Sequence, residues 1–122
     1  MIFQGRFRTV RHQDHAVPTP QPRPLLGPSS CLDVRAWRLA SAEQPLLLVT
    51  TARKTGGAVQ RNRFRRQVRM AFLAGLSPLQ GQSWVVWVRP SRQAKALDTL
   101  LFSDIETQLR LALRRLPAPD AP

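Results

Sequence analysis

Gly56-Gly57-Ala58-Val59-Gln60-Arg61-Asn62-Arg63-Phe64-Arg65-Arg66-Gln67-Val68-Arg69 is the stretch on which the reading of this chain turns. From Ala58 to about Ala74, the residues Phe64, Val68, Ala71, Phe72 and Gly75 follow the spacing of one helix face. At about 100° per residue they fill an arc of roughly 100°. Asn62, Arg63, Arg65, Arg66 and Arg69 follow one another around the opposite side, and Arg61 projects near the apolar edge. Gly75, followed by Ser77-Pro78, ends the helix. Five arginines fall within the nine residues 61–69, and no acid lies between Glu43 and Asp98. An ordinary solvated face mixes in Glu and pairs its charges at i,i+4. Unpaired arginines at this density repel one another, so the helix expects a polyanion, of which nucleic acid is the usual one.

On the N-terminal side of this helix, residues 53–57 form a glycine-bearing connection. Leu46–Thr51 is a continuous apolar, β-branched run, the pattern of a well-buried strand. Upstream, Cys31–Leu39 alternates: Leu32, Val34 and Ala36 point one way, Asp33, Arg35 and Trp37 the other, which marks a half-buried strand. Glu43-Gln44-Pro45 reads as the turn between these strands, so an antiparallel hairpin is expected. On the C-terminal side, Trp84–Val88 is a third strand, stopped by Pro90. Leu46–Arg89 then has the order and length of a βαβ unit with parallel strands.

Ser103-Asp104-Ile105-Glu106 matches a capping box, with Ser103 as N-cap and Glu106 at N3. It opens a second helix whose apolar stripe is Ile105, Leu109, Ala112, Leu113 and Leu116. Arg110, Arg114 and Arg115 lie off that stripe, where positive charge suits the C-terminal end of the helix dipole. Pro117 and Pro119 stop this helix, and 117–122 reads as a frayed tail. At the other end, residues 1–16 are basic and contain Phe3 and Phe7. Residues 17–30 hold five prolines, which lack the N–H a ladder needs; they read as an extended, polyproline-like spacer without a core of its own. The length suits a single domain spanning 1–122.

The 122 residues carry 19 Lys plus Arg against 7 Asp plus Glu, a net charge of +12. Solubility asks only for a magnitude of about 2–8 in a small domain. Cys31 is the single cysteine and has no internal partner. No apolar run approaches the roughly 20 residues of a membrane span, and the first residues lack a signal-peptide core. The chain therefore reads as cytoplasmic, with no membrane association and no obligate protein partner. Protein-based catalysis finds no support: no Ser-His-Asp grouping can be assembled, and Cys31 has no placed base. His12, His15 and Cys31 do not have zinc-ligand spacing. Seven scattered acids, none in the basic region, do not supply the paired carboxylates of a two-metal nuclease. No catalytic residue and no protein-held metal is expected.

The order Arg61-Asn62-Arg63, then Phe64-Arg65-Arg66 and Arg69, resembles the arginine–asparagine–arginine signature of the bacterial ribonuclease P protein family. Arg53-Lys54-Thr55-Gly56-Gly57-Ala58-Val59 is similar to the basic turn that precedes it. Trp84–Arg89 with Pro90 resembles the family's last strand, Ser103–Leu116 its C-terminal helix, and Phe3-Gln4-Gly5-Arg6 the end of its first helix. The proline-rich segment Pro18–Pro28 looks like an insertion, and Met70 stands at a position often acidic in the family.

The resemblance implies an α/β (α+β) sandwich on a small mixed sheet with a left-handed β-α-β crossover, like the second domain of ribosomal protein S5. The residues alone would favour the opposite hand, which about 98% of such units adopt. It also implies a protein subunit of ribonuclease P, a ribonucleoprotein endonuclease that removes the 5′ leader of precursor tRNA, with catalysis carried by the RNA subunit. Arg53, Lys54, Arg61, Asn62, Arg63, Arg65, Arg66 and Arg69 would face the catalytic RNA. Phe3 and Phe7, with Arg35 and Trp37 added from the strand pattern, would line a cleft for the leader, where aromatics stack on unpaired bases. Magnesium would be held mainly by the RNA. The rival readings are a ribosomal-type RNA-binding protein without a role in cleavage and a DNA-binding helix, against which the βαβ context argues.

Overall fold

Trp84–Pro90 is the most continuously apolar strand of the chain, and it takes the middle of the sheet. In the computed structural model, which describes residues 8–10, 18, 21–39, 45–75, 79, 82–91, 97 and 100–116, four strands and two α-helices follow in the order β1 (Arg8–Val10), β2 (Leu32–Arg38), β3 (Leu46–Val49), α1 (Ala58–Ala74), β4 (Trp84–Pro90) and α2 (Phe102–Arg114). The strand order is β1-β3-β4-β2; β3 is parallel to both β1 and β4, and β2 is antiparallel to β4.

The expected β2–β3 hairpin is therefore not formed. Its two strands are antiparallel, but β4 lies between them, pairing Val34↔Val88 on one side and Leu48↔Trp87 on the other. Burial explains the choice. Residues 84–88 are all buried, so β4 needs neighbours on both edges and cover on both faces. Alternating β2, with its exposed Arg38, is suited to an edge. The βαβ unit is present, β3–α1–β4 joining adjacent parallel strands.

Both helices cover one face of the sheet. Leu32, Val34, Leu47, Val49, Val86 and Val88 meet Phe64, Val68, Ala71 and Phe72 of α1 and Ile105, Leu109, Ala112 and Leu113 of α2. Each of these side chains apart from the alanines contributes about 1.5–3 kcal/mol on burial, so this layer holds the domain together. The face read for each helix is the face that is buried. Gly75 caps α1, its N–H reaching the carbonyls of Ala71 and Phe72 at 3.0 and 3.2 Å. A Cβ there would lie 3.3 Å from Leu113 Cδ1, so a glycine lets the helices approach closely.

Two local expectations change. The second helix starts two residues earlier than the capping box implied: Leu101 is the N-cap, without a side-chain cap, and Ser103 lies inside the helix. Glu106, no longer at N3, reaches Arg110 at 3.7 Å instead. Residues 21–30, expected as a spacer, are built onto the domain. Leu26 is buried in the main core, Leu25 N–H donates to Val34 O at 2.8 Å, and Arg115 donates to Leu25 O at 2.6 Å. Gln108 ties α2 to β2, its Oε1 accepting from the N–H groups of Cys31 and Leu32 at 3.1 and 3.2 Å.

Candidate RNA interface

α1 turns its apolar stripe to the sheet, so geometry forces the rest of the helix outward. Asn62, Arg63, Arg65, Arg66 and Arg69 are all exposed. Arg61 falls within the arc of Val68 and Phe72; it is half-buried, and its Nε has no partner. Arg53 and Lys54 are exposed on a single 3₁₀ turn, Arg53–Thr55, that runs through Gly56 and Gly57 into α1. Gly57 N–H donates to Gln60 Oε1 at 2.9 Å, which fixes this entry.

The charges of this surface are uncompensated. Ion pairs among the described residues join Asp33 to Arg35 and Arg89, and Glu106 to Arg110; none involves Arg53, Lys54 or an arginine of α1. Arg65 makes one neutral contact, Nη2 to Thr51 Oγ1 at 3.2 Å. The first turn of α1 contains no acid. Cations at the positive end of a helix dipole oppose it, at a cost of about 0.3–1 kcal/mol each when exposed. The same arrangement of N–H groups and guanidinium groups suits phosphate. Val59, Met70 and Leu73 are exposed between these arginines, which the helical wheel alone did not single out.

The opposite face of the sheet carries no helix among the described residues. Leu46, Leu48, Val85 and Trp87 form a second cluster there, with Trp37 and Leu39 packed against it. Trp37 and Trp87 meet edge to face with centroids 6.5 Å apart, and Trp87 Nε1 donates to Thr50 Oγ1 at 2.9 Å. Arg89 lies 4.4 Å over the Trp87 ring while its Nε donates to Asp33 Oδ2 at 2.8 Å. The structure thus brings Trp37 and Arg35 to one face, as the alternation predicts. Arg35, however, is a brace: Nε donates to Asp33 at 3.1 Å, and Nη1 donates to Pro22 O at 2.9 Å and Gln21 Oε1 at 3.4 Å. Trp87 and Arg89 were not predicted as site residues, although period two along β4 puts them on the same face as Trp37. Phe3 and Phe7 lie outside the described residues.

Burial pushes the Cys31 thiol up, away from the thiolate that nucleophilic chemistry needs. No three potential metal ligands converge among the described residues, and Asp33 already carries two guanidinium partners, so these residues do not fit a divalent ion. His12 and His15 lie outside the described residues. No described helix is long and apolar enough to cross a membrane.

Fold and surface together define a class: a small basic α/β protein that presents an arginine-rich helix on one side of its core and an aromatic sheet face on the other, built to bind nucleic acid. Comparison with known proteins supplies the family. The family model described as Ribonuclease P matches residues 29–116, and the chain belongs to that family. Among solved structures it is similar to the RNase P protein from Thermotoga maritima, at 20% identity and a TM-score of 0.61 over 71% of this chain and 78% of that one. A second structure of the Thermotoga maritima protein, in complex with 1-(4-fluorophenyl)-2-thiourea, gives 21% and 0.61 over 70% and 79%. The Staphylococcus aureus RNase P protein gives 22% and 0.57 over 68% and 72%. These likenesses establish the expected α/β sandwich as the fold. No curated protein matches the chain in sequence. Family membership makes it a protein component of the ribonuclease P ribonucleoprotein, associated with its RNA and serving tRNA 5′ processing.

Proposed function

We propose that the chain binds the catalytic RNA of ribonuclease P through the outer face of α1 and the preceding turn, and holds the 5′ leader of precursor tRNA on the sheet face that carries Trp37. The observation that carries this reading is the set of seven cations, Arg53, Lys54, Arg61, Arg63, Arg65, Arg66 and Arg69, without an ion-pair partner among the described residues. The outward direction of Arg63, Arg65, Arg66 and Arg69 is fixed by the apolar stripe beneath them. Asn62 sits among them as a neutral donor and acceptor.

On the other face, half-buried Trp37 offers aromatic surface, backed edge to face by the buried Trp87, and Arg89 places a cation beside the pair. Stacking on unpaired bases is worth about 1–3 kcal/mol per base and tolerates any sequence, as a leader that differs between tRNAs requires. Phe3 and Phe7 would add to this surface, and Arg35 would shape it. The protein's contribution is electrostatic and positional: it screens phosphate repulsion and fixes the leader. Bond cleavage is carried by the RNA subunit, which holds the magnesium. The complex works in the cytoplasm, where precursor tRNA is made.

The test is cleavage of a 5′-extended precursor tRNA in low magnesium by the protein alone, a bacterial ribonuclease P RNA alone, and both together. Efficient cutting at the mature 5′ end only by the mixture is expected. Cleavage by the protein alone would overturn the assignment of catalysis. A mixture no faster than the RNA alone, despite tight binding, would leave a structural RNA-binding protein.

A further inference from the structure

A cavity of about 1130 Å³ lies between the arginine helix and the aromatic sheet face, where β3 and β4 end and β2 begins. One wall is the proline-rich segment from Pro24 to Pro28; the facing wall is the chain that leaves β3, from Thr50 to Thr55. Pockets for small ligands run to about 300–1,000 Å³, so there is room for more than one nucleotide unit. The proline wall is fixed in place by the bonds from Arg35 to Pro22 O, Leu25 to Val34 and Arg115 to Leu25 O, and by the buried Leu26.

The lining has the chemistry of a nucleotide site. Lys54, Arg35 and Arg89 face a single acid, Asp33, whose carboxylate both arginines already neutralise. Pro24, Pro28 and Leu26 add apolar surface for a base. The cavity also connects the two RNA surfaces: Thr51 in its wall accepts from Arg65 of α1, and Arg89 in its wall stacks on Trp87 of the sheet face.

We propose that this cavity is a separate subsite that receives one or two nucleotides of single-stranded RNA from the leader, with phosphate toward Lys54 and Arg89 and bases against the prolines. It rests on the reading that this chain binds the leader. It gives the proline-rich segment a function: it adds a wall to the end of the sheet.

Gly27 permits a direct test. It lines the cavity, and a Cβ built on it meets no atom within 4 Å, so Gly27→Trp adds bulk at the cavity wall without removing a charged group. The assembled holoenzyme, with wild-type protein, Gly27→Trp or Gly27→Ala, is titrated with mature tRNA and with precursor tRNAs bearing short and long leaders. The expected result is an affinity gain with leader length for wild type and Gly27→Ala, and a loss of about tenfold for Gly27→Trp on long leaders alone. If wild type shows no dependence on leader length, the underlying leader reading fails. If it does, and Gly27→Trp matches it at every length, the leader lies elsewhere and only the pocket is overturned. A loss that extends to mature tRNA also overturns the subsite. Should Gly27→Trp fail to fold by circular dichroism, 4-thiouridine placed along the leader decides with the wild-type holoenzyme: crosslinks to residues 21–30 or 50–55 support the pocket, and crosslinks confined to other segments refute it.

Discussion

Replacing Arg63, Arg66 and Arg69 together with alanine should change how RNA affinity responds to salt before it changes anything else. All three side chains are exposed, and none has an ion-pair partner among the described residues, so no buried group is orphaned. Alanine is at least as good a helix former as arginine, and the apolar face of α1 is untouched. If each arginine neutralises one phosphate, the slope of log K against log salt falls in magnitude by about 0.7–0.9 per site, or about 2.1–2.7 in all. Between 50 and 200 mM salt, a fourfold change, the wild-type advantage should then shrink by about 20- to 40-fold. Fluorescence anisotropy of labelled ribonuclease P RNA, titrated at several salt concentrations, measures both slopes, and circular dichroism checks the helix. Parallel lines for variant and wild type would show that these arginines do not meet phosphate. A collapsed spectrum would show that they hold the fold, and the assignment of helix faces would be wrong.

Three further outcomes follow from particular contacts. Gln108→Leu removes the acceptor for two backbone N–H groups, of Cys31 and Leu32; at about 1–3 kcal/mol for each orphaned donor, reduced by their partial exposure, urea unfolding should register a loss of about 2–4 kcal/mol, and an unchanged midpoint would refute the tie between α2 and β2. Arg35→Ala releases Pro22 O, so the Leu25 amide, bonded to Val34 O, should exchange with deuterium roughly fivefold faster, equivalent to about 1 kcal/mol, while the β4 amides stay protected. Burial raises the Cys31 thiol, so iodoacetamide should react with native protein along a pH profile displaced upward from that of urea-unfolded protein; the neutral thiol is the form the fold favours, and its contribution to stability is present below the unfolded thiol's pKa and is lost as pH rises through the folded value. Coincident profiles would contradict that burial.

How much of this was legible in the chain depended on the range of the interactions involved. α1 and α2 were readable because a stripe such as Phe64, Val68 and Phe72, or Ile105, Leu109 and Leu113, records burial against whatever layer lies beneath, without naming it. Strand neighbours were not readable in the same way. The hairpin rule assigned β3 to β2, whereas the partner of β2 is the more distant β4, a choice set by total burial rather than by local pattern. β1, at three residues, is too short to show period two. The arginine surface was legible because exposure and absent acids are both sequence properties. The brace made by Arg35 was not, since its acceptors at Gln21 and Pro22 lie in a segment whose prolines argued only for an extended path.

The same local conflict that drew notice to α1 also bears on what the protein is for. Seven cations along α1 and the turn before it, of which Arg53, Lys54 and Arg61 lie near the positive end of the helix, with no acid in its first turn and a half-buried Arg61 whose Nε finds no partner, lower the stability of the free chain. Phe64, Val68, Ala71 and Phe72 offset that cost by burial, so the helix stands without its partner. Local conflicts of this kind are expected where a surface serves binding rather than folding. Mass action then makes the direction of the coupling definite: RNA that binds only the folded chain must stabilise it, by about 2.7 kcal/mol at a free concentration one hundred times Kd. That stabilisation must also fade as salt weakens binding, so the strain built into α1 is relieved by the partner it selects.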